Sequence, residues 1–192
     1  MKRVLSALFI IIGIHSASAT SLLATFEQTL AAMGRYCVEF TVTLDQYTTS
    51  GRYIVSGNDF YAAVAGVEYY VAGGVKHEVN SQTKEIIVDS AESLGSDIIS
   101  NPAQGFSALV RDFDAADTAI SGHKAVILTP KQGGADSVVV VADQSGKLPQ
   151  RIVYCYDTAK MVIELRKVER YATELPTFDS SKYADFELVD MR

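Results

Sequence analysis

His77 and His123 are the histidines of residues 20–192, and neither has a second histidine or a cysteine at ligand spacing. Zinc sites and catalytic dyads need such convergence, so each histidine reads as a strand-edge or turn residue. Ser-x-x-Lys occurs at Ser81–Lys84 and Ser121–Lys124. A hydrolase using that pair places it at a helix start with further Ser and Lys groups converging, whereas both copies here fall in turns between strand-like runs. The chain has no Gly-x-Ser-x-Gly elbow, no Gly-x-Gly-x-x-Gly loop and no phosphate-binding Gly-Lys-Ser/Thr loop. Its 23 carboxylates are scattered, and no pair stands out as an acid and base. A non-enzyme without metal or cofactor is expected.

Residues 1–19 have the three parts of a secretory signal. Lys2 and Arg3 form a positive start, Val4 to Ile14 an apolar stretch, and Ala17-Ser18-Ala19 a small-residue cleavage site before Thr20. Such a stretch is too short for a bilayer span of about 20 residues, and nothing later approaches that length. No direct membrane span is therefore expected. Residues 20–192 should form a single exported domain. Cys37 and Cys155 would then meet an oxidising compartment, which allows a disulfide. Two cysteines give no spacing pattern, so a bridge and a pair of free, packed thiols both stand open. The formal charge is −6 for the whole chain and −8 without Lys2 and Arg3. That balance speaks against a nucleic-acid partner, which needs a basic patch.

The elements that would position any site are mostly strands. Leu22, Leu23, Phe26, Leu30 and Met33 share one helical face over 21–33, and Gly34 stands where a C-cap belongs. Tyr36, Val38, Phe40, Val42 and Leu44 then alternate with Cys37, Glu39, Thr41, Thr43 and Asp45, which predicts a half-buried strand. Thr48-Thr49-Ser50-Gly51 reads as a turn. Short strands are expected at 52–56, 60–65, 68–72, 76–80 and 85–89, a meander joined by tight turns. Regularity lapses over 90–113, where a loop with Ser96 leads into a short helix over 103–113 carrying Phe106 and Leu109, a candidate lid. Strands resume at 124–129, 137–142, 150–156, 161–171 and 186–191, with Gly133-Gly134 among the breaks. The sum is an α+β, mainly β chain of about 10–11 antiparallel strands, a width at which a sheet must curl or close.

Seven tyrosines and phenylalanines lie in or beside these strands: Tyr53, Phe60, Tyr61, Tyr69, Tyr70, Tyr154 and Tyr156. Aromatic residues favour strands for packing alone. They would also suit a curved sheet whose inner wall is left partly open as an apolar concavity.

The order of these pieces resembles the periplasmic outer-membrane lipoprotein carriers (LolA-like), most closely those of Bacteroidota. The resemblance rests on Val38-Glu39-Phe40-Thr41-Val42-Thr43, on Gly51-Arg52-Tyr53-Ile54-Val55-Ser56-Gly57 and on the hairpin Tyr69-Tyr70-Val71-Ala72-Gly73-Gly74. It continues through Lys84-Glu85-Ile86-Ile87-Val88-Asp89, Asn101-Pro102, Ile127-Leu128-Thr129-Pro130-Lys131 and the closing Phe186-Glu187-Leu188-Val189-Asp190-Met191-Arg192. It implies an incomplete antiparallel β-barrel with an N-terminal helix and a helical lid over a hydrophobic cavity. The cargo would be an acylated lipoprotein or other lipid carried across the periplasm by a monomer, with an inner-membrane releasing complex as partner. The cavity wall would be Phe40, Val42, Tyr53, Val55, Phe60, Tyr70, Ile127, Val139 and Ile163, and Phe106 and Leu109 would lie on the lid. A sensor or interaction module of the same fold is the alternative. Where the known carriers have an Arg-Pro latch, this chain has Ser56-Gly57-Asn58-Asp59, and it has no tryptophan.

Overall fold

The computed structural model describes residues 21–95, 97–132 and 137–192. The signal-peptide expectation, Ser96 and the Gly133-Gly134 break lie outside the described residues. Helix α1 is Leu22–Met33. Ser21 starts it, its hydroxyl accepting the Ala24 N–H at 3.2 Å, and Gly34 at φ 72° ends it. The helix covers the expected span and cap.

A meander of six strands follows: β1 Arg35–Leu44, β2 Tyr47–Ser56, β3 Asp59–Val64, β4 Val67–Ala72, β5 Val75–Asn80 and β6 Glu85–Ser90. Ala65-Gly66 and Gly73-Gly74 have φ of 53° and 83°, and of 56° and 82°. Positive φ at both central residues is the primed hairpin turn, whose twist matches that of the flanking strands. The turn expected at Thr48–Gly51 is instead strand. The chain reverses at Asp45-Gln46, and the β-branched threonines sit in extended backbone.

After a short 3-10 turn at Ala91–Ser93 comes helix α2, Gly105–Asp112. It runs directly into β7, Phe113–Ile120, a strand the hydrophobic pattern did not announce. Then come β8 His123–Pro130, β9 Ser137–Ala142, β10 Pro149–Cys155, β11 Lys160–Arg170 and β12 Glu187–Asp190. All twelve join one sheet in the order β12-β6-β5-β4-β3-β2-β1-β11-β10-β9-β8-β7. The β12–β6 pair is parallel and every other pair antiparallel. The two edges, β12 and β7, do not pair, so the barrel is open.

That the sheet curls follows from its core. One apolar cluster takes side chains from β1–β4 and from β8–β11, together with Phe26 of α1 and Phe106 and Leu109 of α2. Neighbouring strands are spaced by about 4.8 Å, so a flat sheet could not bring its two halves into one cluster under two helices. A bulge between Glu39 and Phe40 shifts the β1–β11 register and adds local bend. Among the described residues no helix is long and apolar enough to cross a membrane.

The register rules out a bridge between the cysteines. Cys37 stands opposite Glu169 and Cys155 opposite Lys160, so along β11 they are separated by about 30 Å. A disulfide needs Cα atoms within roughly 7 Å. Both thiols are free, and burial pushes that of Cys37 upward.

Past β11 the chain crosses the outer face of the sheet as a strap. The Tyr171 N–H donates to the Arg35 carbonyl at 3.0 Å, and the Arg35 guanidinium donates to the Thr173 carbonyl. Phe178, Tyr183 and Phe186 then cover Val79, Ile86 and Val88, a second apolar cluster on the side of the sheet away from the helices.

Candidate functional site

The site is built where the two helices meet the start of β1 and the end of β2. Leu30 and Ala31 of α1, Tyr36 of β1, Val55 of β2 and Pro102, Ala103 and Phe106 at the start of α2 line a cleft of about 390 Å³. Gly34, Gly57, Glu27 and Ser107 complete its rim. That volume lies at the small end of the range for ligand pockets. Burial holds the phenol of Tyr36 neutral, its pKa pushed up to about 12, and burial does the same for Tyr53 deeper in the core.

Three contacts help to fasten helix α2 over this cleft. The Phe26 and Phe106 rings lie 6.1 Å apart and tilted by 59°. The Ser107 hydroxyl donates to Glu27 Oε1 at 3.0 Å, joining α2 to α1 across 80 residues of sequence. Gly105 rests against Ile98 so closely that a Cβ would come within 2.7 Å of the Ile98 Cα. On the far side of α2 a second cleft of about 400 Å³ has more charged side chains in its lining, Asp59, Glu92 and Arg111, where the first has Glu27.

The expected wall residues divide between the two faces. Phe40, Tyr53, Val55, Phe60 and Ile163 are buried in the inner cluster, with Val42 packed against it. Of these, Val55 lines the cleft. The others pack against side chains of the inner cluster, which fill the inner face among the described residues. Tyr70, Ile127 and Val139 differ from expectation and lie on the outer face. Tyr70 joins the cluster under the strap, while Ile127 and Val139 are direct cross-strand partners, Ile127 being 40% exposed. Their neighbours Val71, Val126, Leu128, Val138 and Val140 take the inner positions. Phe106 and Leu109 are both buried on α2, Phe106 at the cleft and Leu109 in the core.

The serines, lysines and histidines singled out in the sequence lie in separate turns and strands. Ser81 and Lys84 lie in the β5–β6 turn, where Lys84 pairs with Asp185 at 2.6 Å. Ser121 lies in the β7–β8 turn, and His123 opens β8. His77 stacks on Phe178, ring centroids 4.1 Å apart and 13° from parallel. Among the described residues no group of three or more His, Cys, Asp or Glu is placed to hold a metal ion.

One polar cluster escaped the sequence reading. Glu68 takes hydrogen bonds from Tyr61 at 2.5 Å and Tyr183 at 2.9 Å, and the Tyr70 and Tyr183 hydroxyls lie 2.9 Å apart. Burial and the hydrogen bond to Glu68 push the Tyr61 hydroxyl well above its ordinary range; burial and the bond to Tyr183 do the same for Tyr70. Strand pairing aligns Tyr61 with Tyr70, yet Tyr183 lies 115 residues beyond Glu68, and no local pattern announces that contact.

No protein-family model matches the chain, and no curated protein matches its sequence. Solved structures do. An uncharacterized conserved protein from Thermus thermophilus superposes with a TM-score of 0.57 at 9% identity, over 90% of this chain and 99% of that one. A LolA superfamily protein from Nitrosomonas europaea gives a TM-score of 0.46 at 11% identity, covering 81% and 94%. The lipoprotein LppX of Mycobacterium tuberculosis gives 0.47 at 15%, covering 81% and 98%. At such identities the likeness is one of fold, carried among these three by the Thermus structure.

Proposed function

We propose that this protein is an exported, non-enzymatic lipid carrier that shelters an acyl chain in the cleft between α1 and α2. The carrying observation is that cleft: about 390 Å³, walled by Leu30, Val55, Ala103 and Phe106 and roofed by a short helix held by few polar bonds. Removing an acyl chain from water contributes about 0.8 kcal/mol per methylene, so the chain needs an escort and the escort needs a movable cover. The order of sequence motifs points the same way, to a carrier working in the periplasm on lipoproteins or other lipids destined for the outer membrane.

The reading is tested on protein expressed with its own residues 1–19 and purified without detergent. Mass spectrometry of an organic extract should show lipid at near-stoichiometric amount, and Ala31→Trp, on the exposed side of α1 at the cleft, should reduce it several-fold. Lipid-free protein that also takes up no fluorescent fatty acid would overturn the proposal. It would favour the interaction module, for which the filled inner face is the supporting observation.

A further inference from the structure

The two clefts beside α2 differ in chemistry, and the difference bears on what the carrier carries. Resting on the carrier reading, we infer that the ligand is a lipid with a single acyl chain and an ammonium-bearing headgroup, its chain between Leu30 and Phe106 and its ammonium on Glu27.

Space supports one chain. At about 390 Å³ the cleft lies at the small end of the range for ligand pockets, which suits one acyl chain better than the three of a triacyl anchor. Among the described residues, Phe26, Leu109, Phe60 and Leu128 occupy the inner face, each at most 2% exposed. The neighbouring cleft is no home for a second chain. Its rim carries Asp59, Glu92 and Arg111, whose charges an acyl chain would desolvate without compensation.

Charge selects the headgroup. Among the described residues Glu27 is the charged side chain that lines the first cleft, and it is half-buried. Its Oε1 accepts from Ser107, while Oε2 takes no hydrogen bond from the described residues. A fatty-acid carboxylate would meet that oxygen with like charge; an ammonium would donate to it.

Lauroyl lysophosphatidylethanolamine, laurate, a diacyl phosphatidylethanolamine and a tripalmitoylated lipopeptide separate these claims. Native mass spectrometry reads stoichiometry and calorimetry reads affinity. The lysophospholipid should bind one to one and about tenfold more tightly than laurate. Glu27→Gln should erase that advantage while laurate still binds, and Glu27→Asp should restore part of it. Diacyl or triacyl lipids binding as well, or a preference that survives Glu27→Gln, would overturn the inference and leave the carrier reading standing. If no acyl probe binds at all, both fall.

Discussion

At the scale of single residues, two glycines show how tightly the sheet and lid are drawn. Gly51 lies opposite Phe40 in the β1–β2 ladder, and a Cβ there would come within 2.6 Å of the Phe40 ring and 3.0 Å of the Ala63 carbonyl. The ring cannot swing freely, since Phe40 is buried and its centroid lies 5.6 Å from that of Tyr53. Gly51→Ala should therefore destabilise the fold by about 1–3 kcal/mol, the usual range for overpacking, read as a lower urea midpoint at unchanged slope. Adding Phe40→Leu to Gly51→Ala should recover part of the loss, because the shorter side chain vacates the contested space. Additive losses in that double-mutant cycle would show that the ring is not what excludes the Cβ. The glycine is plain in the sequence, but the aromatic ring lying over it is not, because the contact depends on a β1–β2 register that no single residue encodes.

At the scale of elements, the strands that were legible were those with strict alternation. β1 sets Tyr36, Val38 and Phe40 inward, as its pattern predicts. β8 and β9 are apolar on both faces over Ala125–Leu128 and Val138–Val141, so parity carries no signal there, and Ile127 and Val139 face outward where inward positions are expected. β7 was missed because its residues are small and acidic and nearly all exposed, as suits an edge strand kept from pairing further. One of those acidic residues has structural work: Asp117 faces the Leu22 N–H at the start of α1, its carboxylate oxygens at 3.4 and 3.5 Å. A carboxylate at a helix N-terminus is stabilising by about 0.3–1 kcal/mol where exposed, so Asp117→Asn should lower stability by no more than that, with a smaller difference in high salt. The α2 element is held more steeply. Gly105→Ala would press a methyl onto the Ile98 backbone, and the expected outcome is an α2 that lifts, with faster proteolysis between residues 97 and 112 while the strands stay folded. Cleavage unchanged from the parent protein would mean that the lid tolerates the methyl by shifting as a body.

At the scale of the whole molecule, the outer-face strap decides how the open barrel is finished. Without it Val79, Ile86 and Val88 would face water and β6 would be a bare edge, the arrangement that invites pairing between chains. Removing residues 172–192 should therefore cost stability and promote self-association, seen as concentration-dependent sedimentation. The strap's docking should also depend on pH through His77, which lies flat on Phe178. Burial, and then Arg192 beside it, lower the pKa of His77 below 6.5, while Asp190 opposes them. The unfolded chain thus binds the proton more readily than the folded one. The His77 contribution is fully present above about pH 6.5 and is lost as pH falls through the lower folded value. The facing groups do not reverse that sign, because the Glu68 cluster bonds to tyrosines and Arg192 is itself paired with Asp190 at 2.7 Å. Between pH 7.5 and 5 the wild type should lose more thermal stability than His77→Gln, and the near-ultraviolet signal of the Phe178–Tyr183 stack should fade with it. Parallel pH profiles for the two proteins would show that folding leaves the proton affinity of the imidazole unchanged and that the strap is held by its aromatic packing alone.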